Sequence, residues 1–214
     1  MMKLTACWED TLDAETVETL RERVQEKIAR EGGWGERAKV KTQNFLMAEL
    51  SERAFKTLLV TRALAYRTRQ LYVGPPEGAG PDFIVWTKTG QELTIGIRAR
   101  LQADLLQYRQ LTYPDDRTRL EPHRINDFTI PAGIEFRRDG TATVRFYGAL
   151  DRAAMLAALD RAQVKHSGRN REKFRVIDLA LFSCALFWEL LDSLSDSYPI
   201  AAGSHGETTR SSAL

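Results

Sequence analysis

The sequence predicts an α/β protein: a small mixed central sheet flanked by helices, with extra helices at both ends. Three observations predict it. A stretch free of Gly and Pro, from about Thr42 to Arg67, carries Phe45, Leu46, Leu50, Leu58, Leu59 and Leu64 at helical spacing. Two strand signals follow in succession, residues 82–87 and 92–99, joined by the turn-like Lys88-Thr89-Gly90-Gln91. A further pair, Phe128 to Phe136 and Thr141 to Tyr147, flanks Asp139-Gly140, a strong hairpin signal.

The remaining elements fall around this frame. Asp13 is placed to cap a helix over residues 14–30, with Val17, Leu20, Val24 and Ile28 on one face and Gly32-Gly33 ending it. A short strand is expected near Arg69 to Val73, then an irregular Gly/Pro loop, residues 74–81, that delivers the chain to Asp82. Leu101 to Leu111 reads as a helix, and residues 112–126 as a polar loop with two prolines. Pro131 suggests an edge or a bend in its strand. Asp151 caps a short Ala-rich helix running to about Gln163. A densely basic run, residues 161–175, then leads into an apolar helix over residues 172–194. The expected organisation is an N-terminal helical extension (residues 1–38), an α/β core (39–163), a basic linker with a C-terminal apolar helix (164–200), and a disordered Gly/Ser/Thr-rich tail (201–214).

Composition bounds the function classes. Of the 214 residues, 43% are hydrophobic and 28% charged, ordinary globular values, and the net charge is only +2. Affinity for a polyanion therefore has to come from local clusters of cations. Cys7 and Cys184 form no CxxC motif and His123, His166 and His205 are scattered, which argues against a zinc site or a disulfide framework. Two unpaired thiols suit a reducing cytoplasm. The first residues turn acidic quickly and do not read as a signal peptide. The most apolar stretch, Leu179 to Trp188, is about half the roughly 20 residues a membrane span needs.

One constellation carries chemistry. Phosphodiester hydrolysis uses a divalent cation, and Mg²⁺ or Mn²⁺ prefers carboxylate oxygens. Asp82 opens the first of the two successive strands and Arg98 lies on the second, so they can sit side by side across a ladder. Glu49, on the preceding helix, completes a cation site if that helix packs on the sheet.

These residues resemble the PD-(D/E)XK nuclease superfamily, the restriction-endonuclease-like fold. The resemblance covers roughly residues 40–160: the helix with MAELSERAF, the strand GPDFIVW, the strand ELTIGIRAR, the helix after it, and the hairpin NDFTIPAGIEFRRDGTATVRFYG followed by a helix. It implies Mg²⁺ or Mn²⁺ held by Glu49 and Asp82, with Arg98 where such members carry a Lys that grips the phosphate. The chain departs from the pattern at Gly96, where an acid or Gln is expected, and at Arg98, whose guanidinium holds its proton but suits phosphate geometry. Asp104, one turn into the next helix, is the candidate stand-in acid.

Beyond the motif, Arg100, Arg161, Lys165, Arg169, Arg171 and Lys173 are candidate contacts to nucleic acid, expected to be double-stranded DNA. Two readings stay open. One is a nucleic-acid-binding protein with a nuclease-type core, active as a metal-dependent endonuclease or degenerate and binding only. The other is a non-enzymatic subunit of a mobile-element or phage-defence complex, or a homodimer, docking through the helices 14–30 and 172–194. Glu49 with Arg53, and Glu52 with Lys56, also have the spacing of a plain surface ion-pair ladder.

Overall fold

The computed structural model describes residues 4–31, 36–69, 80–115, 124–166 and 173–198. Trp34, Tyr72, His123, Arg169, Arg171, His205, the strand expected over 70–73, most of the loop before Asp82 and the tail lie outside the described residues.

The described elements are β1 (Trp8–Leu12), α1 (Ala14–Glu31), α2 (Glu36–Thr61), β2 (Tyr66–Thr68), β3 (Phe83–Trp86), β4 (Glu92–Leu101), α3 (Gln102–Tyr108), β5 (Gln110–Pro114), β6 (Phe128–Phe136), β7 (Ala142–Phe146), β8 (Leu150–Asp151), α4 (Arg152–Arg161), β9 (Val164–His166), β10 (Lys173–Asp178) and α5 (Cys184–Ser193). The main sheet runs β1-β7-β6-β4-β3-β2, with β8 also beside β6. All its neighbours are antiparallel except β4 and β6, which run parallel with Gly96 opposite Thr129 and Arg98 opposite Pro131. The mixed α/β architecture agrees with the sequence expectation.

Two cores sandwich this sheet. On one side Leu50, Phe55 and Leu59 of α2 and Phe187 and Leu191 of α5 meet Phe83, Val85, Ile95 and Phe146. On the other, Leu105, Tyr113, Ile125, Met155 and Ile177 form a second cluster beneath a small sheet ordered β5-β10-β9. Alternation along β4 follows from this: Leu93, Ile95 and Ile97 join the α2 side, so Gly96, Arg98 and Arg100 point to the other face.

Local signals account for several boundaries. Asp13 accepts from Thr16 N at 2.7 Å and Asp151 from Ala154 N at 2.8 Å, the capping contacts expected of both. Gly140 takes φ +86°, the left-handed conformation its hairpin turn requires.

Other expectations need correction. The helix expected to reach Leu111 stops at Tyr108: Arg109 adopts a left-handed conformation, and Leu111 and Tyr113 then alternate inward on β5. Residues 112–126 therefore begin as a strand rather than a loop. The helix expected over 172–194 is strand β10, a 3₁₀ turn (Leu179–Leu181) capped by Asp178, and a short α5 capped by Ser183. Residues 164–166 and 173–175 pair as a hairpin, Lys173 opposite His166, so this region is not a linker. Pairing of β10 with β5 overrode a helical pattern that local sequence alone suggested. Pro131 lies on an interior strand. It sits where the antiparallel neighbour of β6 changes from β8, which ends opposite Thr129, to β7, which starts opposite Ala132. Its missing N–H falls in that gap, while its carbonyl accepts from Tyr147 N at 3.1 Å.

The N-terminal region is more than a helical extension, because β1 pairs with β7. The faces proposed for docking are also used internally: Val17, Val24 and Ile28 of α1 are buried, as are Phe187, Leu190 and Leu191 of α5. Cys7 and Cys184, expected as free thiols, form a disulfide with Cα atoms 5.4 Å apart. The bond removes the step that led from unpaired thiols to a reducing compartment. Among the described residues no helix is long and apolar enough to cross a membrane.

Candidate functional site

Asp82 immediately precedes β3, and Asp82 N donates to Ile95 O at 3.0 Å, which sets the residue beside Gly96 of β4. Its carboxylate is buried and doubly engaged. One oxygen accepts from Ile97 N at 2.6 Å, and the other lies 2.6 Å from the Arg69 guanidinium. The same Arg69 nitrogen lies 3.3 Å from Glu52 on α2. Glu49, one turn earlier and buried, faces Arg23 of α1 at 3.7 Å. The surface-ladder partners Arg53 and Lys56 are thus not the ones these acids use.

The electrostatics link Glu49 to Asp82, whereas Arg98 acts on Asp82 alone. Burial pushes the Asp82 carboxyl up, opposed by Arg69, by the Ile97 N–H and by the charge of Arg98. Burial likewise raises Glu49, opposed chiefly by Arg23 and reinforced by Asp82. Glu52 is pushed up to about 8 by burial and then by Asp82, against the pull of Arg69. Glu49, Glu52, Asp82 and Arg69 therefore form one interacting group, which Arg98 touches only through its charge on Asp82. Two buried carboxylates and the half-buried Glu52 share the charge of Arg69, and burial with mutual repulsion favours the protonated form in this group.

This fixes a pH dependence. Glu52 loses its proton near its ordinary value of 4.5 when unfolded but keeps it to about 8 when folded. Between those limits the folded state binds more protons, so stability falls as pH rises. Glu52→Gln should raise the thermal midpoint near pH 9 and leave it almost unchanged near pH 5. Parallel melting curves at both pH values, identical for the variant and the parent, would contradict it.

Arg98 lies on the opposite face of β4 from α2. Its guanidinium carbon sits 4.7 Å over the Tyr113 ring, a cation–π contact that holds the side chain half-buried. Arg100 is desolvated, which lowers its pKa, with Asp104 offsetting that effect. Asp104 is exposed and acts on Arg100; the groups acting on Asp82 are Arg69, Ile97 and Arg98. The stand-in acid is therefore not at the carboxylate cluster. A different side chain fills the space over Gly96. A Cβ built there would overlap the Asn126 carboxamide, with Asn126 Cγ at 3.1 Å.

The donor set does not fit Mg²⁺ or Mn²⁺ as it stands. Both Asp82 oxygens are committed, Arg69 faces the acids, and an amide stands where β4 lacks its side chain. Among the described residues no group of three His, Cys, Asp or Glu is placed to hold a metal ion. Two surface clefts lie elsewhere. One of about 390 Å³ is lined by Arg21, Gln25, Leu46 and Phe136, and another of about 460 Å³ by Arg62, Lys88 and Asp192.

No family model, curated protein or solved structure matches the chain. Function is thus read from the site itself.

Of the remaining candidates, Lys165 and Lys173 are exposed on the β9–β10 hairpin, and exposed Arg161 turns its Nε onto Ala157 O at 3.0 Å. Sequence reasoning missed Arg69, Tyr113 and Asn126 and treated Glu52 as a surface residue. Glu52 carried a signal: it follows Glu49 by three residues, so a helix that buries one tends to bury the other. Asn126 carried none, because its neighbour Gly96 is 30 positions away in the chain.

Proposed function

We propose that the chain is a nucleic-acid-binding protein with a nuclease-type core, which grips the phosphodiester backbone of double-stranded DNA without cutting it. Several features support a core of the restriction-endonuclease type. With β2 between α2 and β3 and β5 between α3 and β6, the order is helix, strand following Asp82, antiparallel strand with Arg98, helix, then the β6–β7 hairpin and α4. That is the order the resemblance implies.

The observation that carries the non-cleaving form is Arg69. Its guanidinium sits between Asp82 and Glu52, at 2.6 and 3.3 Å, and already satisfies the charge of carboxylates that a divalent ion would otherwise use. With the acids neutralised from within, Arg98 is the group left to meet a phosphate. Its planar fork suits two phosphate oxygens, and Tyr113 fixes its plane. Arg100, Arg161, Lys165 and Lys173, with Arg169 and Arg171 outside the described residues, would add contacts that carry no sequence information.

Two measurements test this. Supercoiled plasmid incubated with the protein and Mg²⁺ or Mn²⁺ should stay supercoiled. Nicking that disappears in Asp82→Asn, which keeps an acceptor for Ile97 N–H, would restore the endonuclease reading. Binding of a labelled duplex should weaken linearly in log[salt], and Lys165→Ala with Lys173→Ala should make that slope shallower by about one for each ammonium removed. A slope indifferent to both changes would remove the hairpin from the interface.

A further inference from the structure

Position 96 is the one place on β4 where the strand itself supplies no side chain to the face that holds Arg98. The space is nonetheless filled, and its occupant is held there by three anchors. Asp127, next in sequence to Asn126, accepts from Thr94 N and Thr94 Oγ1, each at 2.8 Å, and Asp127 N donates to Thr94 Oγ1 at 3.0 Å. Arg152 reaches back to Asp127 at 3.0 Å and to the Ile125 carbonyl at 2.8 Å. Ile125 is buried in the second core. The residues on both sides of Asn126 are thus pinned, one to β4 and one to the layer above it, and Thr94 lies two residues from Gly96 on the same face.

Two groups on this face have unused hydrogen-bonding capacity. Among the described residues, no hydrogen bond or ion pair reaches the Arg98 guanidinium, whose contact is the Tyr113 ring. The Asn126 carboxamide, half-buried over Gly96, likewise has no hydrogen-bond partner among them. A carboxylate at this point would favour a cation. A carboxamide carries no charge and offers N–H donors to an anion. Beside Arg98, with Asp82 already paired to Arg69, the local balance favours phosphate over metal.

We infer that Asn126 is a second phosphate-contacting residue, which enters the gap above Gly96 from the segment before β6 and forms with Arg98 an anion clamp that works without a divalent cation. This rests on the nucleic-acid-binding reading above and names how that site meets its ligand. Gly96 and Arg98 lie on the same face of β4, with their backbone positions about 6.6 Å apart.

The test is the affinity of a short labelled DNA duplex, measured by anisotropy in EDTA. Asn126→Asp is nearly isosteric and places a negative charge beside the phosphate; it should weaken binding by about tenfold or more. Asn126→Ala should weaken it several-fold without that repulsion. A thermal melt of each variant checks that the fold is kept, and the near-isosteric change is the one expected to keep it. If both variants bind as tightly as the parent while Arg98→Ala binds weakly, Asn126 makes no contact and the clamp is wrong, although the site remains. If the parent itself binds no duplex, the functional reading fails and the clamp fails with it.

Discussion

Arg69→Met should destabilise the protein by about 3–5 kcal/mol near pH 8, the range found when one member of a buried charge network is removed. The guanidinium lies 2.6 Å from Asp82 and 3.3 Å from Glu52, and its charge also acts on Glu49. Methionine fills much the same volume but leaves two buried carboxylates and the half-buried Glu52 close to one another. Their escape is protonation, and all three already have raised pKa values because of burial. The loss should therefore shrink toward pH 5, where the acids can be neutral in both the variant and the parent. Urea unfolding at the two pH values measures this. A loss under about 1 kcal/mol at both would mean that the acids are solvated and that Arg69 is an ordinary surface residue.

Breaking the Cys7–Cys184 bond should cost about 2–5 kcal/mol, seen as a fall in the thermal midpoint of roughly 5–15 °C. The bond closes a sequence separation of 177 residues, so in the chain-entropy view it constrains nearly the whole unfolded polypeptide. It also has a local role. Cys7 N donates to Phe146 O at 2.8 Å just ahead of edge strand β1, and Trp8 stacks on Phe146 with ring centres 5.6 Å apart. The bond ties that edge to the start of α5, whose Phe187 and Leu191 sit in the main core. Cys7→Ser, Cys184→Ser and a reducing agent should each lower the midpoint by a similar amount. Alkylation of the denatured, unreduced protein should label no thiol. Two labelled thiols and a midpoint indifferent to reductant would contradict the pairing.

How much was legible in the sequence depended on the range of the interaction. Features set by neighbours in the chain were readable: the Asp13 and Asp151 caps, the Asp139-Gly140 turn, the strands after Asp82, and the amphipathic α1. The approach of Glu49 to Asp82 follows from α2 packing on the sheet, but Arg98 lies on the other face of β4 and acts on Asp82 alone. What failed was decided by distant partners. β5 and β10 pair residues at least 60 positions apart in the chain, as Phe174 with Pro114, so neither shows its strand character in isolation. Arg69 belongs to the site only because β2 beside β3 carries the chain back past Asp82. Gly96 was readable as a strand position without a side chain, but Asn126 as the residue that fills its space was not, since the Thr94–Asp127 contact that places it exists only in three dimensions. The cysteines show the same limit: 177 positions of separation hid a pair that the fold brings within 5.4 Å.

The most direct test of the central claim, that this face of β4 holds a phosphate without a metal, is duplex binding by Arg98→Ala and the parent in EDTA across a salt series. The expected result is a parent that binds in the absence of any divalent ion, and a variant about tenfold weaker whose salt slope is shallower by about one. Equal affinities and parallel slopes would contradict the claim, because the cation stacked on Tyr113 would then be touching no phosphate.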